Sequence, residues 1–222
     1  MKTLVMSAGS VALLIVSLTG TSAFAQDSKW IIRGMPSYLS TASDNSPVTA
    51  TLPAPLGQET TSQDIEGAAG FGFGVEYMWN ERFGIEIAAF VSSHDSNMMI
   101  TNDLGTFAAT DSTSLRIFTF GANYHFKSSG RTKWSIGGYV PLMFVEGTDH
   151  VFPELNRTEH RDYDQDYGLG VKGGMDWSFA VDSPWSLAIE ARYMALLIME
   201  SETVGDVDVN RLVLSIGVGY RF

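Results

Sequence analysis

The last fifteen residues, 208–222, constrain the fold of this chain more than any other segment. Counting back from Phe222, apolar side chains occupy every second position as far as Leu212, and the positions between them are mostly small or cationic. A period of two is typical of a β-strand that has different surroundings on its two faces. The apolar face runs for about eleven residues, the length that a tilted strand needs to cross a bilayer. This strand predicts a membrane-spanning sheet, which other strands must close.

The amino terminus predicts export. Lys2 gives a positive start, residues 11–16 give much of an apolar core, and Ala23-Phe24-Ala25 is a small-x-small cleavage site. We predict a cleaved secretory signal peptide at residues 1–25 and a single barrel domain at residues 26–222. A retained transmembrane helix is the alternative, but the apolar core is short for a span.

Composition excludes several classes of protein. The 222 residues include no Cys, so disulfides and thiolate metal sites are excluded. The formal net charge is −11, which makes nucleic acid an unexpected partner. After the signal peptide, no continuous apolar run is long enough for a membrane helix. A closed barrel is the remaining way to cross lipid with every backbone group bonded.

Seven further segments alternate in the same way as the last strand. They cover residues 29–38, 64–79, 83–92, 114–126, 134–145, 166–179 and 184–199. Short turns separate three pairs of strands, and polar segments without periodicity separate the others. We predict long loops at residues 39–63, 93–111, 147–165 and 200–207. Strict alternation of short periplasmic turns with longer extracellular loops is typical of outer-membrane barrels. The predicted fold is all-β, an eight-stranded antiparallel transmembrane up-and-down β-barrel.

The positions of the Trp residues and of the charged residues agree with this orientation. All five Trp residues lie at strand ends beside short turns or the amino terminus, where an aromatic girdle belongs. Segments 39–63, 92–113, 147–165 and 200–208 together contain fourteen acidic and two basic residues. The rest of the exported chain balances at eleven of each. The net negative charge is therefore predicted to lie outside the cell.

The inward residues are predicted to be charged near one end of the barrel and apolar near the other. Towards the periplasm they form a charge network that must be compensated in so narrow an interior: Arg33, Glu76, Glu86, Lys172, Asp176, Glu190, Arg192 and Arg221. Towards the loops they form a hydrophobic lumen lining: Phe90, Leu115, Ile117, Tyr139, Met143, Val145, Met194, Leu196 and Ile198. This lining predicts either a hydrophobic funnel that opens to the outside or ordinary packing of a small barrel.

The four His residues give no characteristic site. His150 and His160 share a loop with five acidic residues, so weak binding of a divalent cation is conceivable, but no ligand pair has a typical spacing. We expect a solvated acidic loop. His94 and His125 face the lumen, and a hydrolase would require a Ser and an acid beside one of them. We predict no catalytic, metal or cofactor site.

Several stretches resemble the OmpW family of eight-stranded outer-membrane proteins. They are Thr119-Phe-Gly-Ala-Asn-Tyr-His-Phe126, Trp134-Ser-Ile-Gly-Gly-Tyr139, Tyr167-Gly-Leu-Gly-Val-Lys-Gly-Gly-Met-Asp176 and Ile216-Gly-Val-Gly-Tyr-Arg-Phe222. The chain departs from the family pattern at Thr113-Ser114-Leu115 and Asp208-Val209-Asn210, so a closely related small barrel family is the alternative. The resemblance implies a narrow channel for small apolar molecules.

The leading hypothesis is a non-enzymatic barrel in the outer membrane of a Gram-negative bacterium that admits small hydrophobic molecules. The alternative is a surface-interaction or structural protein that acts through acidic extracellular loops, and a lipid-modifying enzyme is the third hypothesis. The expected partners are outer-membrane lipid and lipopolysaccharide, the insertion machinery through the carboxy-terminal strand, and small hydrophobic molecules.

Overall fold

The computed structural model of the chain describes residues 29–43, 48–51, 58–126, 130–146, 148–161, 165–196 and 209–222. In chain order the strands are β1 (Trp30–Ser43), β2 (Val48–Thr51), β3 (Gln58–Ile65), β4 (Ala68–Met78), β5 (Phe83–Asn102), β6 (Gly105–His125), β7 (Thr132–Val145), β8 (Thr148–Phe152), β9 (Arg157–Arg161), β10 (Asp166–Ser178), β11 (Trp185–Leu196) and β12 (Val209–Arg221). A 3-10 turn (Pro153–Leu155) joins β8 to β9. The predicted signal peptide lies outside the described residues. None of the described segments is a helix with the length and apolar character to cross a membrane.

Eight of these strands close into a barrel. Strands β1, β4, β5, β6, β7, β10, β11 and β12 pair in this order, each antiparallel to the next, and β12 pairs with β1. Closure leaves no unpaired edge around this ring. The structure confirms the predicted eight-stranded up-and-down barrel. We call the end that carries the turns 79–82 and 179–184 the short-turn end, and the opposite end the hairpin end.

The outward face of the barrel is an apolar band. Phe120, Ile136 and Val171 are among the exposed outward side chains at mid-height. Towards the short-turn end the outward residues become aromatic, with ring pairs such as Trp30–Tyr77 and Trp185–Tyr220, whose centroids lie 4.8 and 4.6 Å apart. A band of aliphatic side chains with an aromatic girdle is the surface that a bilayer requires of a spanning barrel.

Three of the predicted long loops are wrong in large part. Strands β5 and β6 continue through residues 93–111 and meet at the tight turn between Asn102 and Gly105. Segment 39–63 extends β1 and adds β2 and β3, which join the sheet beside β5. Segment 147–165 contains the β8–β9 hairpin. The predicted loop 200–207 lies outside the described residues.

A second small core packs the extended ends of β5 and β6 against β8. We call it the hairpin cluster, and its buried residues are Met98, Ile100, Ala109 and Phe152, with Phe107 packed against them. Met98, Ile100, Phe107 and Ala109 are inward residues of β5 and β6, and Phe152 reaches them from β8. Burial of these side chains stabilises strands whose Ser and Thr content alone is typical of a loop.

Candidate functional site

Arg33 lies at the centre of the barrel interior near the short-turn end. Its Nη1 donates to Glu76 Oε2 at 2.8 Å, and its Nη2 and Nε donate to the two carboxylate oxygens of Asp176 at 2.7 and 3.2 Å. The planar guanidinium group therefore binds two carboxylates from strands on opposite sides of its own. Arg33 and Glu76 are fully buried, so this fork ties β1, β4 and β10 together across the lumen.

A second set of ion pairs lies above the first. Arg192 Nη2 is 2.6 Å from both Glu86 Oε1 and Glu190 Oε2, and Lys172 Nζ donates to Glu86 Oε2. All four side chains are buried. Each of these buried charges has a direct partner of opposite sign, which offsets the cost of removing it from water.

We call these residues the charge cluster: Arg33, Glu76, Glu86, Lys172, Asp176, Glu190 and Arg192. Two other inward residues join it, since Asn123 Nδ2 and His125 Nε2 each lie 2.7 Å from Glu76 Oε1. The alternation of β6 predicts that Asn123 and His125 face inward. It does not predict that both contact Glu76. Arg221 is half-buried at the short-turn end, outside the direct ion pairs of the described residues.

Above the charge cluster the interior becomes apolar. We call these residues the apolar cluster, and its buried members are Leu39, Ala88, Phe90, Leu115, Ile117, Tyr139, Met143, Met194 and Val213. Val145 is partly buried against it. The described part of Leu196 is its backbone in β11, and Ile198 lies outside the described residues. Leu39, Ala88 and Val213 were missing from the predicted lining, although Leu39 continues the alternation of β1 beyond its predicted end.

The two clusters meet at Arg192. Its guanidinium carbon lies 5.0 Å from the ring centroid of Phe90 and 5.7 Å from that of Tyr139. Inward glycines make room for both rings, because a Cβ at Gly72 would lie 2.5 Å from Phe90 and a Cβ at Gly170 would lie 2.3 Å from Tyr139. The aromatic faces stabilise the cation by cation–π attraction and give the apolar cluster its lower boundary.

His94 lies at the upper boundary of the apolar cluster, three residues beyond Val91 on β5. Its ring nitrogens lie 2.7 Å from Ser92 Oγ and 2.7 Å from the backbone oxygen of Glu66. Burial lowers the pKa of His94, so the neutral ring is favoured. The group that orients the ring is the backbone carbonyl of Glu66 and not a carboxylate. The arrangement therefore differs from a Ser-His-acid triad.

The acidic extracellular residues show no metal geometry in the described ranges. His160 Nδ1 contacts the Asp149 carboxylate across the β8–β9 hairpin. Within the part of the chain that the structure describes, no three His, Asp or Glu side chains are grouped as metal ligands.

Comparisons with known proteins show which family and which solved structures this chain is similar to. The family model described as "Outer membrane protein beta-barrel domain" matches residues 11–222. OprG, an outer membrane protein from Pseudomonas aeruginosa, aligns with a TM-score of 0.61 at 16% identity, covering 88% of this chain and 96% of that chain. Neisserial surface protein A aligns with a TM-score of 0.55 at 15% identity, covering 87% and 97%.

The outer membrane protein AlkL, solved in lipid bilayers, aligns with a TM-score of 0.51 at 15% identity, covering 88% of this chain and 90% of that chain. No curated protein matches. At these identities the structural likeness shows the fold. Together with the family match, it confirms the predicted resemblance to small outer-membrane barrels of the OmpW-like kind.

Proposed function

This chain belongs to the outer membrane protein beta-barrel family, whose model it matches over residues 11–222. We propose that it is a narrow channel for small hydrophobic molecules in the Gram-negative outer membrane. In barrels of this class the short turns are periplasmic, which puts the hairpin end outside the cell. The observation that carries the proposal is the position of the apolar cluster. It fills the extracellular half of the lumen, and the charge cluster closes the periplasmic half.

An apolar solute would enter this lumen by displacing side chains. Phe90, Met143 and Met194 are fully buried and close the passage in this structure. Methionine side chains are unbranched and change rotamer easily, so Met143 and Met194 are suited to move aside and return. Ions and polar solutes would lose hydration among these side chains without gaining partners, so the proposed channel excludes them.

The proposal is tested by changing the size of one lumen residue in both directions. Met194→Trp should lower, and Met194→Ala should raise, the uptake of naphthalene by intact Gram-negative cells that display the protein. Ile87→Trp, on the lipid-facing side of β5, is the matched control and should leave uptake unchanged. Folding of each variant is checked by the heat-dependent electrophoretic mobility of the barrel. A folded Met194→Trp variant with wild-type uptake would rule out passage through the lumen.

A surface-interaction role is the second candidate. The observation that favours it is the hairpin cluster, which fixes the extracellular strands as a structured surface with Asp149 and Glu154 exposed. If these acids hold partners through cations, calcium-dependent aggregation of cells displaying the protein should disappear in the Asp149→Asn, Glu154→Gln variant. The same aggregation should be insensitive to Met194→Trp, which separates the two candidate functions.

A further inference from the structure

The extracellular part of the sheet has an ordered polar face on its outer side. Four threonines align across four adjacent strands, since Thr49 pairs with Thr60, Thr60 with Thr101, and Thr101 with Thr106. At the usual strand spacing this row is about 14 Å long. Thr49, Thr101 and Thr106 are exposed, and Thr60 is half-exposed. We call this row and the outward residues directly beside it the threonine face.

Hydrogen bonds fix the hydroxyl groups of this row. The Oγ1 atoms of Thr49 and Thr60 are 3.2 Å apart, and those of Thr101 and Thr106 are 3.1 Å apart. Each hydroxyl pair uses one O–H group internally, which leaves one donor and several acceptor positions directed outward. A polar surface whose groups are already oriented loses less entropy when it binds a polar partner.

The next row towards the membrane is partly apolar. Its outward residues are Ser62, Met99 and Ala108, which are paired across β3, β5 and β6. Met99 is 47% exposed and lies outside the lipid-facing band. Hydroxyl groups beside an exposed apolar strip match the chemistry of a sugar, which has hydroxyls around its ring edge and C–H groups on its faces.

We propose that the threonine face binds the oligosaccharide of lipopolysaccharide in the outer leaflet. The argument for this occupant is continuity with the lipid-facing surface. The outward residues of β5 are apolar from Phe83 to Val91 and, apart from Met99, polar from Ser93 to Thr101. Those of β6 are polar from Thr110 to Arg116 and apolar or aromatic from Phe118 to Tyr124. The same face of the same two strands thus passes from acyl chains to the saccharide groups of the same lipids.

The threonine face lies well beyond the end of the lipid-facing band. Thr101 lies ten residues beyond Val91, about 34 Å along an extended strand. Arg116 is exposed at the level where the apolar band ends. Its Nη2 lies 3.5 Å from Glu146 Oε2, and its other N–H groups can contact a lipid phosphate. The inference depends on the outer-membrane location and does not depend on passage through the lumen.

Valine substitutions give a direct test. Thr60→Val, Thr101→Val and Thr106→Val together remove three hydroxyls and keep the β-branched shape that strands favour. The full-length exported protein is reconstituted in phospholipid vesicles that contain either lipopolysaccharide with its core oligosaccharide or lipid A alone. Amide hydrogen exchange of residues 97–110 is then measured.

We expect the oligosaccharide to slow exchange of this segment in the wild-type protein by at least about threefold relative to lipid A. The triple variant should lose this protection, and Thr158→Val, an exposed threonine on β9, should retain it. If the triple variant does not fold, Thr101→Val alone breaks one hydroxyl pair and should lose part of the protection. Equal exchange with the two lipids, or unchanged protection in a folded valine variant, would overturn the proposal.

Discussion

The two halves of the barrel interior are filled by opposite means. The periplasmic half contains the charge cluster, in which Arg33 and Arg192 each bind two carboxylates at 2.6–2.8 Å. The extracellular half contains the apolar cluster, in which Ile117, Met143 and Met194 are fully buried among apolar side chains. The charge cluster is sensitive to loss of a member, because removal of one ion leaves its buried partners with fewer charges of opposite sign. The apolar cluster tolerates changes of shape, since its contacts are non-directional.

This difference suggests a division of roles. A layer of forked ion pairs fixes the strands around it. A layer of packed side chains can open and close without loss of a specific partner. The proposed channel therefore has its movable part on the extracellular side and its rigid part on the periplasmic side.

The largest effect should come from removing a central cation. Arg192→Leu leaves Glu86 and Glu190 buried with fewer positive partners, and we expect the free energy of unfolding to fall by about 3–5 kcal/mol. Denaturant-induced unfolding from lipid vesicles measures this loss. Arg221→Leu, at the half-buried edge, should cost much less.

A double variant separates charge from packing in that result. Arg192→Leu combined with Glu190→Leu removes one ion of each sign, so it should recover a large part of the lost stability. If the double variant is no more stable than Arg192→Leu, the contribution of Arg192 is packing, and the contrast between the two halves is wrong.

A smaller effect is expected from truncation in the apolar cluster. Ile117→Ala deletes buried methyl groups and should cost about 2–4 kcal/mol in the same unfolding measurement. Ile87→Ala makes the same chemical change on the lipid-facing surface, where acyl chains can fill the space, and should cost less than half as much. Equal losses at the two sites would show that the apolar cluster is not packed as a core.

Much of this division could be predicted from alternation alone. The inward positions of β4 to β7 and of β10 to β12 follow from a period of two, which assigns Glu76 and Ile117 to the lumen directly. Which inward residues meet cannot be predicted in this way. Arg33 binds Asp176 across the barrel, a partner 143 residues away that depends on the stagger of the closed sheet.

The extracellular strands could not be predicted because their stabilising contacts are also long-range. Segments 39–63 and 93–111 are rich in Ser, Thr and small residues, which favour turns when considered locally. Phe152, far along the chain, packs with Met98 and Ile100 of segment 93–111. Segment 39–63 joins the sheet through the pairing of β3 with β5. The sequence of one segment does not show which distant residues will pack against it.

The junction of the two halves provides a finer test. Phe90→Leu keeps an apolar side chain but removes the ring that lies 5.0 Å from the Arg192 guanidinium carbon. The lost cation–π attraction and imperfect packing should together cost about 1–2 kcal/mol. The Phe90→Leu, Arg192→Leu double variant should lose less than the sum of the two single losses. Full additivity in this cycle would show that the two clusters are energetically independent.

The smallest effect concerns His94, which caps the apolar cluster on the extracellular side. Burial lowers its pKa in the folded protein below the ordinary value of 6.5, and nearby Arg211 acts in the same direction. Between these two pKa values the unfolded chain binds more protons than the folded chain, so stability falls as the pH drops through about 6.5. The unfolding midpoint of the wild-type protein should therefore fall more between about pH 7.5 and pH 5.5 than that of His94→Gln, which keeps a hydrogen-bonding side chain but does not titrate. An equal fall in both proteins would show that His94 is not held neutral by burial, and the boundary of the apolar cluster would then lie below Ser92.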